Sequence, residues 1–373
     1  MTTDPCAVRA HDLGKTYSVR GVKGGVRALS GLDVAVQRGI VFGLLGPNGA
    51  GKSTAIKVLT TLTRPDRGTA EIEGVDVLRH PDRVRRLIGV VAQRSGSDPR
   101  ATGRENLILQ ARLYGMGGRA ARARAAELLD RFDLAEVADR LVKTYSGGTQ
   151  RRLDVALGLV HRPSVLFLDE PTTGLDPEAR TAMWAEIQRL AGDDGLTVVL
   201  TTHYLEEADR LAQRLAIVDH GHVVAGGTPD ELKGELRGDA VHLELPSGTV
   251  PGEVRAVLEA LPSVREVRIA GRGVSARSDN GAAAVPAVLA ALERAGMPAA
   301  AVTVARPSLD DVFLRYTGRR YAPDDGRDDR HDDRRDDHRD GHRDDAPGAA
   351  PPGTASPAPE ASTGTPARQE AAK

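Results

Sequence analysis

Residues 41–59 read VFGLLGPNGAGKSTAIKVL, and this stretch decides the architecture. Its first five residues, Val41–Leu45, form an unbroken apolar run that leads into a glycine-rich turn. The turn fits G-x-x-x-x-G-K-S, with Gly46, Gly51, Lys52 and Ser53 at the fixed positions. Chemistry accounts for those residue types. A triphosphate carries dense negative charge. Glycines let successive backbone N–H groups close around it, and the N-terminus of the following helix adds its dipole. Lys52 supplies a point charge for the β- and γ-phosphates, and the Ser53 hydroxyl can ligate Mg²⁺. An apolar strand before the loop and a helix starting at Thr54 complete the context a phosphate loop needs.

A second apolar run, Val165–Leu168, leads directly into Asp169 and Glu170. Carboxylate and phosphate oxygens suit Mg²⁺, so Asp169 is expected to hold the ion. Glu170 is then placed to polarise a water for in-line attack on the γ-phosphate. Further short apolar runs, Ile88–Ala92, Thr197–Thr201 and Leu215–Val218, alternate with longer helical patterns. That alternation predicts an α/β domain with buried, mostly parallel strands.

The pattern changes near Gly226–Gly238. Beyond it the expected order is strand (Val241–Leu245), helix (Gly252–Leu261), two strands (Val264–Ala270 and Gly273–Arg277), helix (Ala283–Ala295) and strand (Ala299–Ala305). This β-α-β-β-α-β order matches a ferredoxin-like unit. A last helix, Leu309–Thr317, carries Leu309, Val312, Phe313 and Tyr316 at helical spacing. From Ala322 the composition breaks to DDGRDDRHDDRRDDHRDGHRDD and then to Ala, Pro, Gly, Ser and Thr, so 322–373 is read as a disordered tail.

Whole-chain composition excludes several classes. Across 373 residues Lys+Arg number 51 and Asp+Glu 52, and the net charge of −1 provides no basic field for nucleic acid. The single cysteine, Cys6, excludes an internal disulfide framework and fits a reducing cytosol. No apolar run reaches the roughly 18 residues a spanning helix needs, and MTTDPCAVRA lacks the apolar core of a signal peptide.

Between the two nucleotide motifs lies Tyr145-Ser146-Gly147-Gly148-Thr149-Gln150. With it, residues 6–235 resemble the ATP-binding cassette (ABC) family, whose elements occur here in family order. The resemblance implies an ABC P-loop α/β fold over 1–235 with a helical subdomain at about 98–160, beside the accessory α+β domain at 239–318 and the tail read from pattern and composition. It assigns adenine stacking to Tyr17, although an aromatic in a first strand is equally at home in a core. Gly46, Pro47, Asn48, Gly49, Ala50, Gly51, Lys52, Ser53 and Thr54 match the phosphate-binding loop. Gln93 matches the glutamine loop, expected near Mg²⁺ and water; a solvated strand-end amide is the plainer alternative. Ser146, Gly147 and Gly148 match the signature, Asp176 the D-loop, and His203 the switch histidine, which could otherwise simply cap a helix. Tyr145 stands where Leu is usual and Thr149 where Gln is usual, while the Ser-Gly-Gly core is intact.

The Tyr-Ser-Gly-Gly variant, Thr102-Gly103-Arg104-Glu105-Asn106 and Pro307-Ser308-Leu309-Asp310-Asp311-Val312-Phe313-Leu314 resemble the daunorubicin/doxorubicin-resistance type of exporter ATPase. The resemblance implies ATP and Mg²⁺ as cofactors and a homodimer in which each signature closes on the other copy's ATP. It also implies a separate polytopic permease and a peripheral place on the cytoplasmic face of the cell membrane. Lipid or glycolipid export, and a soluble non-transport ABC ATPase, are the alternatives.

Overall fold

The structure is a computed structural model that describes residues 6–318, apart from 20, 23, 237 and 247–250. The expected tail, 322–373, lies outside the described residues.

The chain opens with two long strands, β1 (Cys6–Tyr17) and β2 (Val26–Gln37), paired antiparallel. β3 (Val41–Leu45) follows, then the glycine loop and α1 (Lys52–Leu59). β4 (Arg67–Ile72) and β5 (Val75–Asp76) extend the first pair into a four-stranded sheet ordered β2-β1-β4-β5. α2 (Pro81–Leu87) leads into β6 (Ile88–Val91), and a helical stretch supplies α3 (Gly103–Leu113), α4 (Gly118–Arg131) and α5 (Gly147–Gly158). β7 (Val165–Asp169), α6 (Pro177–Gly192), β8 (Thr197–Thr202), α7 (Leu205–Leu211), β9 (Arg214–Asp219), β10 (His222–Gly227) and α8 (Pro229–Gly234) complete the first part of the chain.

The second sheet runs β10-β9-β3-β8-β7-β6, with β9, β3, β8, β7 and β6 mutually parallel and β10 antiparallel at the edge. All five residues of β3 are buried, as expected for a strand covered on both faces. Its side chains divide by the two-residue period of a strand. Val41 joins the cluster beneath the helical stretch, with Leu107, Leu128, Leu153 and Leu166. Phe42 and Leu44 join the opposite cluster with Leu13, Leu32, Val58 and Phe167. Parallel register aligns the strand ends: Leu45 lies opposite Thr202, and Asp169 opposite Thr201. The carboxyl ends of β3, β8 and β7 therefore converge on one crevice, where open α/β sheets bind ligands.

Of the expected parallel strands, Val41–Leu45 coincides with β3, those at β6, β7 and β8 differ by one residue at one end, and that at β9 by one residue at each end. Of the antiparallel β2-β1-β4-β5 sheet, only a first strand holding Tyr17 was anticipated. Its register shifts at four points along β1, and each shift interrupts the alternation that marks a strand in sequence.

The last part of the chain contains β11 (Asp239–Glu244), α9 (Pro251–Glu259), β12 (Arg265–Ala270), β13 (Gly273–Ser278), α10 (Gly281–Arg294), β14 (Ala301–Ala305) and α11 (Leu309–Thr317). Its sheet is antiparallel, ordered β12-β13-β11-β14, over a core of Val241, Leu243, Val254, Leu258, Val288 and Leu292. The element order is the expected β-α-β-β-α-β. α11 behaves differently from the rest: Leu309, Val312 and Phe313 pack with Leu45, Ala208, Leu215, Ile217 and Leu232 of the first part of the chain. Tyr316, expected on that apolar face, is instead 39% exposed, and its hydroxyl bonds the Glu235 carboxylate.

Candidate functional site

The glycine loop turns because its backbone must. Gly51 caps α1 at φ 109°, and a Cβ there would lie 2.4 Å from the Ala28 carbonyl oxygen. No side chain caps α1, so its first-turn amides keep their donors for an outside acceptor. Lys52, the first residue of α1, folds back over the loop. Its Nζ donates to the Gly46 and Pro47 carbonyls at 2.7 and 3.1 Å and lies 3.8 Å from Glu170 Oε1. Burial lowers the pKa of this ammonium, and the charges of Glu170 and Asp169 oppose that shift. Asn48, Gly49 and Ala50 form the tip of the loop, while Ser53 and Thr54 lie in the first turn of α1.

Ser53 Oγ donates to Asp169 Oδ1 at 3.1 Å, and Thr201 Oγ1 donates to the same oxygen at 2.5 Å. A hydroxyl and a carboxylate side by side at a phosphate loop are the hard oxygen donors that Mg²⁺ takes, so these residues fit the ion.

Glu170 is the hub. It is 8% exposed and sits at φ 48°, a conformation uncommon for a residue with a Cβ. The Thr201 carbonyl and hydroxyl hold its N–H at 3.2 and 3.0 Å. Its carboxylate accepts from Gln93 Nε2 at 3.2 Å and Thr173 Oγ1 at 3.3 Å, and Oε1 lies 3.2 Å from His203 Nδ1. Burial pushes the carboxyl up. The His203 bond and charge, Lys52 and Thr173 outweigh it and hold the group below the usual carboxylate range.

The structure thus brings Lys52, Ser53, Gln93, Asp169, Glu170 and His203 together. Other expected residues lie apart from that cluster. Ser146 caps α5, its Oγ accepting from the Thr149 N–H at 3.2 Å, so the helix begins at Gly147. Asp176 caps α6 in the same way, accepting from the Ala179 N–H at 2.8 Å. Ser146, Gly148 and Asp176 share a cavity of about 340 Å³ whose lining includes no residue of Gly46–Thr54. Tyr17 ends β1, half-buried, with Lys15 Nζ 5.6 Å from its ring centroid.

Three contacts were not expected. Thr201 bonds both Asp169 and the Glu170 backbone. Thr172 Oγ1 donates to buried Glu207 at 2.8 Å. Arg151 reaches carbonyls on both sides of Glu170. A threonine in an apolar strand, and charges spaced like those of a solvated helix face, give no signal of such roles.

The ABC transporter family model matches residues 29–173, and the model described as "ATP-binding protein DrrA1-3-like, C-terminal domain" matches 227–317. The daunorubicin resistance ATP-binding protein DrrA3 of Streptomyces coeruleorubidus is 49% identical over 296 residues, which span 79% of this chain and 92% of that protein. The chain belongs to the ABC transporter ATP-binding proteins, in their DrrA branch. As a member of that family it is an ABC transporter ATPase. The daunorubicin/doxorubicin resistance ATP-binding protein DrrA of Streptomyces peucetius is 47% identical, over 85% of this chain and 94% of its own length. Among solved structures, the dimeric post-hydrolysis state of the ATP-binding cassette MJ0796 bound to ADP and Pi superposes with a TM-score of 0.54 at 28% identity. The match covers 59% of this chain and 98% of that one. Among the described residues of this ABC ATPase, no helix is long and apolar enough to cross a membrane.

Proposed function

We propose that this ABC ATPase powers drug efflux through a separate membrane permease; its relatives DrrA3 and DrrA are named as daunorubicin and daunorubicin/doxorubicin resistance ATP-binding proteins. The observation that carries the catalytic reading is the convergence of Lys52, Gln93 and His203 on Glu170, beside the Ser53–Asp169 pair. In this reading Gly46, Pro47, Asn48, Gly49, Ala50, Gly51 and Thr54 hold the ATP phosphates through the loop and the first turn of α1, and Lys52 neutralises their charge. Ser53, Asp169 and Gln93 hold Mg²⁺, which when bound supplies charge neutralisation at the phosphates. Glu170 orients the attacking water and accepts its proton; its lowered pKa keeps it ionised and ready to do so at neutral pH. His203 fixes the direction of the Glu170 carboxylate and reaches toward the γ-phosphate. Tyr17 stacks on adenine.

The signature completes the site from a second copy of the chain. Ser146, Gly147 and Gly148 open α5 and form an anion-binding helix end, which shares its cavity with Asp176 and not with the phosphate loop of the same chain. The dimeric MJ0796 cassette, bound to ADP and Pi, supports a pairing of two copies. The assembly docks peripherally on the cytoplasmic face of the membrane through the permease.

Glu170→Gln provides the test. The variant is expected to bind ATP, to lose turnover by about 100-fold or more, and to accumulate as an ATP-bound dimer in size-exclusion chromatography. Wild-type turnover by the purified variant overturns the role given to Glu170.

A further inference from the structure

α5 carries the signature at its start and runs inward from there. Its fifth residue, Arg151, would by charge alone be placed in solvent, yet is 7% exposed. The guanidinium donates to three carbonyls from two other segments. Nη1 reaches Ala92 O at 2.7 Å, Nη2 reaches Asp169 O at 3.1 Å, and Nε reaches Pro171 O at 2.8 Å. Ala92 precedes Gln93, and Asp169 and Pro171 flank Glu170. One planar fork therefore grips the backbone on both sides of the carboxylate-bearing residue and beside the glutamine that bonds it. Less than one turn further on, Asp154 is also buried and accepts from Ser95 Oγ at 2.7 Å, so the same helix holds the loop after β6 at a second point.

The chemistry suits arginine alone. A rigid, always-charged fork with five donors can satisfy three carbonyls arriving from different directions, while a lysine ammonium offers three donors from one point. The grip also falls where the backbone needs it. Glu170 holds φ 48°, a strained conformation that persists only when its surroundings impose it.

We propose that Arg151 is a positioning residue for hydrolysis: carried on the signature helix, its guanidinium sets the aim of Glu170 and Gln93, and so makes the carboxylate competent only while α5 is docked. This rests on the reading of Glu170 given above. None of the three Arg151 bonds goes to the phosphate loop, so loss of the fork is expected to spare ATP binding. Displacement of a reacting group by about 1 Å lowers rate on the order of 100-fold.

The experiment compares full-length wild type, Arg151→Met, Arg151→Lys and Glu170→Gln. ATP affinity and sites per chain are measured by calorimetry, and kcat is expressed per occupied ATP site. Arg151→Met is expected to bind ATP within about threefold of wild-type affinity and to lose about 30- to 100-fold in kcat per site, with Arg151→Lys in between. An arginine that only stabilises the fold would instead lower the number of ATP sites and leave kcat per site unchanged; that result overturns the proposal. So does a fall in affinity that matches the fall in kcat. If Arg151→Met does not fold, Arg151→Lys decides: a kcat loss of about fivefold or more at near wild-type affinity supports the proposal, and an unchanged kcat refutes it. Wild-type turnover by Glu170→Gln would remove the underlying reading of Glu170 itself, and that failure is visible separately from any result at Arg151.

Discussion

Replacing Glu207 by glutamine should stabilise this protein, and increasingly so as pH rises. Glu207 lies in α7 at 1% exposure, with Oε1 accepting from Thr172 Oγ1 at 2.8 Å and Trp184 Nε1 at 3.1 Å. Burial pushes its carboxyl up, and the bonds from Thr202, Thr172 and Trp184 and the charge of His203 offset this only in part. The unfolded chain releases this proton near the ordinary value of 4.5, while the native state keeps it. Above that pH the native state therefore binds more protons than the unfolded state. The contribution of Glu207 to stability is complete below 4.5 and declines as pH climbs toward the raised native value, at about 1 kcal/mol per pH unit. Glutamine keeps the acceptor for Thr172 and Trp184 and never ionises. Its advantage should grow by about that slope from pH 5 upward and then level off, which for a chain of this size amounts to about 2 °C in Tm per pH unit. Thermal unfolding followed by fluorescence is a direct assay, because Trp184 is the single tryptophan of the sequence and bonds the carboxylate in question. A Tm difference between variant and wild type that stays flat from pH 5 to 8, or narrows, would refute the reasoning.

Two further substitutions probe other parts of the molecule. Lys52→Ala removes the buried ammonium that lies over the glycine loop and should weaken ATP binding by about tenfold or more and abolish turnover; calorimetric affinity equal to wild type would remove Lys52 from phosphate binding. Phe313→Ala empties a site that is 1% exposed between α11 and the first part of the chain, at a cost of about 3–5 kcal/mol read from the urea midpoint; a loss under about 1 kcal/mol would show that α11 is not anchored there.

The readable parts of the fold were those with a local signal. Of the five parallel strands, β3, β7 and β8 are buried almost throughout, so each is a largely apolar run bounded by turns, and no partner need be known to find it. β1 and β2 gave no such signal, because their shifted register spreads apolar and polar residues irregularly along twelve-residue strands. The outlying Tyr316 had the spacing of a core residue, but its hydroxyl found a carboxylate at the surface. The residues proposed for chemistry occur in short motifs whose types follow from phosphate charge. Arg151, Thr201 and Glu207, by contrast, belong to no motif, and what they do depends on segments 18 to 59 residues away in the chain.

The amino-acid order alone determined the phosphate loop, the helix that follows it and the strand that presents Asp169 and Glu170, because each depends on neighbours within about one turn of helix or one strand length. Tertiary packing decided which charges left water. A buried guanidinium or carboxylate has the same letters as an exposed one, and only the carbonyls and hydroxyls that packing brings to it make its burial tolerable.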